Sequence, residues 1–442
     1  YNRLGFENEV VATYEKINWI YLEKEAFNKV IEICHQILKI RPENIPAHEN
    51  LIYIYDRTNR RAEAIELWFK MADIYQRREN LAKEEECYDA ILKKDNANVE
   101  ARRRRIFLLL KLSQKLAAFK EARILSDQYT MRRQPEQAIE LYQKLLETDP
   151  DELPLNIHLL ELYKKTNQMA QIVPQIKRLI TIYTQRDQMA LVADYYSELI
   201  QYEPKNVEHR NYLIATLLQL DRKPEAMKQS QNLAELHIKE GRLEDAETVF
   251  HNMLGIEPGN QDVYRRIISV NRMREAFDKA IEMIRTLASL QKSEGDIHAA
   301  IETLKEIFEI DSMNVENHKQ IIALQKEAND TEGSVASYLS LFDILQNTGS
   351  MEEAVAVLQE AIDLKPDDPV LRRKMFNAHV QLGDIPRATE HLFYVCDLYA
   401  KDERYQDTLN TLAEILEVEP GNMQARKRRA ETYALMGDEK KA

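Results

Sequence analysis

One period governs this chain. Short segments that close an apolar helical run recur every 54 residues. They are Ile40-Arg41-Pro42, Lys94-Asp95-Asn96, Thr148-Asp149-Pro150, Tyr202-Glu203-Pro204, Ile256-Glu257-Pro258, Ile310-Asp311-Ser312, Leu364-Lys365-Pro366 and Val418-Glu419-Pro420. Proline lacks an amide hydrogen and clashes with the preceding turn, so it ends one helix and opens the next connection. The eight segments occur without insertion or deletion, which chance does not produce. A strict period of this length means stacked copies of one structural unit.

Other columns keep the phase. A small position holds Ala64, Ala118, Ala226, Ala280 and Ala388, with Ile172 and Ser334 as exceptions. An aromatic position holds Tyr21, Tyr75, Tyr129, Tyr183 and Tyr399, and a turn position holds Gly241, Gly295 and Gly349. Small residues let helix backbones approach, and large ones fill the gaps between them. Apolar spacing of three or four within each copy predicts three helices per unit, near 44–57, 60–77 and 81–94 in the first full one. This gives about 24 helices and no sheet. Pro174 falls inside its unit's second helix, where a kink or a delayed start is expected. The expected organisation is a single solenoid over 1–442. A partial unit spans 1–41, and full units span 42–95, 96–149, 150–203, 204–257, 258–311, 312–365 and 366–419. A partial unit spans 420–442. The chain reads as a fragment of a longer protein.

The second and third helices resemble the tetratricopeptide repeat. Segment 65–96 offers Trp68, Met71, Ala72, Tyr75, Tyr88, Ile91 and Asn96 at the pattern's positions; segment 227–258 offers Ala234, His237, Gly241, Ala246, Phe250, Met253 and Pro258. The family's units have about 34 residues and two helices; here each has an added first helix. Leu382-Gly383-Asp384 with Ala388 copies the family's turn, so that helix forms a similar hairpin with the second. The resemblance implies an all-α superhelical α-α solenoid that binds proteins, with no chemistry shared across the family.

Nothing in the sequence adds a reaction. The ten histidines form no HExxH and no ligand spacing with cysteine, and phosphate-cradle and nucleophile-elbow motifs are missing. No catalytic residue, metal ligand or cofactor is therefore expected, and the chain is read as a non-enzyme. Cys34, Cys87 and Cys396 lie in apolar helical contexts and read as buried thiols. Their odd number argues against a secreted disulfide framework and favours the cytoplasm. No stretch is apolar enough to span a membrane. The formal net charge of −13 argues against a nucleic-acid binder.

One feature points to a partner. Basic residues cluster at one phase of the first helix: Arg102 to Arg105, Arg265-Arg266, Arg372-Arg373-Lys374 and Arg426 to Arg429, with Lys427 among the last. Stacking would bring Arg102, Arg103, Arg265, Arg266, Arg372, Arg373, Arg426 and Arg428 towards a common face. Arginine's planar fork suits acidic or carboxylate-bearing peptide segments. The alternative is that these side chains neutralise acidic helices next door through surface pairs of small value. The function expected is a protein-interaction scaffold. The alternatives are the non-catalytic arm of a larger enzyme or membrane-associated assembly, and helical-repeat RNA binding.

Overall fold

A computed structural model describes residues 6–437. Among the described residues there are 24 α-helices and no strand. First helices of the units are α3 (Ile45–Arg57), α6 (Val99–Lys111), α9 (Leu153–Lys165), α12 (Val207–Gln219), α15 (Gln261–Met273), α18 (Val315–Glu327), α21 (Pro369–Gln381) and α24 (Met423–Leu435). Second helices begin with α1 (Glu7–Glu23) and α4 (Arg61–Arg77). They continue as α7 (Lys115–Met131), α10 (Met169–Gln185), α13 (Lys223–Lys239), α16 (Phe277–Ser293), α19 (Thr331–Asn347) and α22 (Ile385–Lys401). The third helices used below are α5 (Leu81–Lys94), α8 (Pro135–Thr148), α14 (Leu243–Ile256), α17 (Ile297–Lys305, prolonged by a 3₁₀ turn at Glu306–Glu309) and α23 (Tyr405–Val418). The chain divides by contact into two compact units, residues 1–220 and 221–442. In each, a helix packs mainly on its neighbours in sequence.

The turns explain why the period is so strict. At the end of a first or second helix one residue takes a left-handed conformation. Asn59 does so with φ 55° and Gly241 with φ 75°. The amide of Arg60 then bonds the Tyr55 carbonyl and that of Asn59 bonds the Asp56 carbonyl, a Schellman closure. Glycine occupies this position at 241, 295 and 349, but Glu79, Arg133 and Asp187 hold it in the first unit at a steric cost. Between repeats a different device acts. Asn44, Asn98, Asn206, Asn260, Asn314 and Asn422 each accept a backbone N–H of the helix they precede, as Asp368 does.

The small column does what stacking requires: Ala64, Ala118, Ala226, Ala280 and Ala388 are fully buried. Tyr88, Tyr142 and Phe250, equivalent positions of three third helices, are among the largest side chains with almost no exposure. The three cysteines are buried and unpaired. Burial pushes the Cys34 thiol up to about 11 and those of Cys87 and Cys396 up to about 12. Pro174 does not delay its helix. α10 begins at Met169 and carries the proline inside, flanked by buried Ile172, Gln175 and Ile176. Packing of that face offsets the backbone hydrogen bond that proline cannot make.

Candidate partner-binding surfaces

The eight arginines expected to face a partner follow one another on helices that advance 100° per residue, so neighbours in sequence point to different places. Arg102, Arg372 and Arg426 turn back on the connection before their own helix. They donate to the carbonyls of Asn96 at 2.7 Å, Pro366 at 3.0 Å and Pro420 at 2.7 Å. Asn156 and Arg210, at the same repeat position, do the same to Pro150 and Pro204. A charged donor thereby satisfies a turn carbonyl that no helix can reach. Arg102 is 2% exposed and also pairs with Glu121 on α7.

Two positions further on, the side chain reaches the second helix of the preceding repeat. Arg266 lies 3.8 Å from Glu235 and Arg428 lies 2.6 Å from Asp397. The next-door basic residues Arg104 and Lys374 meet Asp73 and Asp343, each at 2.8 Å. The position between points the other way along the stack. Arg265 meets Glu306 at 3.2 Å and Arg373 meets Glu414 at 3.1 Å. Arg103 alone among the eight makes neither a hydrogen bond nor an ion pair among the described residues. It lines a small groove with Glu100, Phe107, Tyr129, Glu140 and Lys144.

Helices two apart in sequence therefore lie side by side, and grooves run between them. One, of about 890 Å³, lies in the second unit. Its walls are α13, with Lys228, Gln231 and Glu235, and α15, with Arg265, Arg266 and Ser269. Buried Phe250 and Met253 of α14 form its floor. A second groove of about 470 Å³ shares Arg265, Ser269 and Met273 and reaches Glu306. Of the arginines expected to act together, only Arg265 and Arg266 meet at this groove. Arg372 and Arg373 on α21 and Arg426 and Arg428 on α24 are not among its lining residues. Among the described residues no helix is long and apolar enough to cross a membrane, and no three His, Cys, Asp or Glu side chains are grouped to hold a metal ion.

Residues 278–442 match the family model described as Tetratricopeptide repeat protein 21 ARM repeat. No curated protein matches the chain. Many solved structures resemble it, two of them as follows. One is titled "Structure of Naa15/Naa10 bound to HypK-THB", with 12% identity over 96% of this chain and 79% of that one, at a TM-score of 0.16. The other is titled "Crystal structure of APC/C hetero-tetramer Cut9-Hcn1", with 13% identity over 94% of this chain and 95% of that one, at a TM-score of 0.15. With three antiparallel helices repeating every 54 residues and its later part matching that model, the chain has a tetratricopeptide-like helical-repeat fold.

Proposed function

We propose that this chain is a non-catalytic protein-interaction scaffold, and that the groove between α13 and α15 receives a segment of its partner. The observation that carries this is the groove's construction. Two helix walls stand over an apolar floor of Phe250 and Met253, and charged and amide side chains fix the rim. Concave sites of this make-up bury an apolar anchor and orient it by a few polar contacts. Methionine adds adaptability, and Met227, Met253 and Met273 all line the site. Arg265 and Arg266 are the expected partner-contacting residues best placed to act here. Each already holds a carboxylate, Glu306 and Glu235, so a partner's carboxylate would bind by exchange and not by filling a vacant charge.

The test uses the whole chain. Peptides selected from a displayed random library are titrated against the chain and against Ser269→Trp, which fills the groove from an exposed wall position. Binding should fall by about tenfold or more in the variant, with circular dichroism unchanged. Selected peptides that bind both proteins equally would remove the groove from the proposal.

A further inference from the structure

The outward face of α7 differs from that of every other second helix. Leu116, Lys120, Arg123, Ile124, Asp127 and Met131 share a face about 100° wide and about 22 Å long, given 1.5 Å of rise per residue. Leu116 is 79% exposed, Ile124 42% and Met131 84%. The repeat supplies seven internal controls. At the three equivalent positions α4 carries Ala62, Lys70 and Arg77, and α16 carries Asp278, Thr286 and Ser293. None of the seven has Leu, Ile, Val, Met or Phe at any of them. Other second helices expose single apolar residues, such as Trp19 on α1 and Tyr394 on α22, but α7 alone is aliphatic at all three of these positions. Apolar residues scattered singly need no explanation, but three on one stripe mark a contact surface.

Charge tells what it contacts. Only α7 is cationic at both the 120 and the 123 position, with Lys120 and Arg123 exposed. Neither is in an ion pair among the described residues, whereas Arg102, Arg104 and Arg105 of α6 are consumed by Glu85, Asp89, Glu100, Asp73 and Glu121. Residues 101–133 hold ten Lys and Arg against two Asp and Glu, although residues 1–220 are balanced at 33 against 33. Asp127 is the one acid on the stripe. We propose that the α7 face docks an acidic segment of a partner protein. Its aliphatic side chains would cover Leu116, Ile124 and Met131, and its carboxylates would pair with Lys120 and Arg123. Anchors at this spacing fit an amphipathic helix laid along α7, and the charge pairs set its direction and its rate of encounter.

The surface is separate from the groove between α13 and α15, so the experiment separates the two. A displayed peptide library is selected on the whole chain carrying Ser269→Trp, and clones that still bind the variant Lys120→Glu/Arg123→Glu are discarded. The survivors should be rich in Asp, Glu and aliphatic residues. They should lose binding by about tenfold or more with Leu116→Asp/Ile124→Asp, and weaken as salt rises. Both variants should keep the parent's circular dichroism, because the four side chains are exposed. Survivors without an acidic bias, or no survivors, would overturn the proposal. So would equal sensitivity of those substitutions in binding to vesicles of anionic phospholipid, or self-association in sedimentation that Lys120→Glu/Arg123→Glu abolishes. These outcomes assign the face to a lipid surface or to a second copy of the chain.

Discussion

Arg104 on α6 donates to Asp73 on α4 across 2.8 Å, and the 31-residue step from one to the other is a fixed offset in this chain. Glu235 and Arg266, Asp343 and Lys374, and Asp397 and Arg428 repeat it. Where the acidic position is Thr181 or Ser289, the basic position is Tyr212 or Gln320. Acid and base thus come and go together within a single sequence. Trp19 and Asn50 likewise carry neither charge, and Asp127 with His158 sets an acid at the same offset from a histidine. The pairs are struts joining one repeat's second helix to the next repeat's first.

A strut on the surface is worth little singly, because solvent screens it. Asp343→Ala and Lys374→Ala should each cost under about 1 kcal/mol, with a coupling of about 0.2–1 kcal/mol in the double-mutant cycle read from urea denaturation. A coupling of zero would mean that the pair is incidental. Reversing Arg266, Arg373 and Arg428 to Glu sets like charges against Glu235, Glu414 and Asp397. That triple variant should therefore lose stability as well as any partner.

Arg102 and Arg103 are adjacent in sequence and should behave oppositely. Arg102 is buried between Glu121 and the Asn96 carbonyl. Arg102→Ala leaves Glu121 with Arg105 alone and the Asn96 carbonyl with Gln128 alone, and removing one side of a buried pair costs about 3–5 kcal/mol. Arg103 reaches the surface of a small groove, and Arg103→Ala should change stability by no more than about 0.5 kcal/mol. Equal effects in chemical denaturation would contradict the assignment.

The contrast shows what the sequence can tell. The period, the helix ends and the buried alanines follow from local chemistry that each copy repeats, so helices expected near 44–57, 60–77 and 81–94 lie at 45–57, 61–77 and 81–94. The asparagine column at 44, 98, 206, 260, 314 and 422 is equally legible as an N-cap signal. The arginines were not legible. Their shared phase suggested one strip, while a turn of 100° per residue sends Arg102 to a turn carbonyl, Arg104 to α4 and Arg105 to α5 and α7. Which acid lies opposite depends on packing between repeats. The α7 stripe needed both kinds of knowledge, since only the packed helix shows which positions face solvent.

His48 gives the fold a response to acid. It is 3% exposed, and burial, helped by the charge of Lys70, pushes its pKa down to about 4. The unfolded chain takes up this proton near pH 6.5. Between pH 6.5 and 4 the unfolded state therefore binds more protons, and stability falls as the pH falls. From pH 7 to 5 this one histidine should remove on the order of 1–2 kcal/mol. The imidazole resonances of His48 should titrate near pH 4, and His48→Gln should flatten the acid limb of the melting-temperature profile. An unchanged limb would place the sensitivity elsewhere, His391 being the next candidate because burial, Arg372 and His379 push it down to about 4 as well.

Stability should be lost locally when a core residue is cut. Tyr142 of α8 is 1% exposed and packs in a cluster that runs from Ile106 to Leu199, with its ring centroid 6.0 Å from that of His158. Tyr142→Ala removes an aromatic ring from a site closed on all sides, and such truncations cost about 3–5 kcal/mol. In a repeat stack each unit is held mainly by its neighbours, so the loss should not spread evenly. Amide exchange should quicken across α7, α8 and α9 and their adjoining turns. Around α22 and α23, whose core is built from Leu392, Cys396, Leu412 and Ile415, it should stay as in the parent protein. Faster exchange by one common factor along the whole chain would mean global two-state unfolding, and the nearest-neighbour account of this fold would then be wrong.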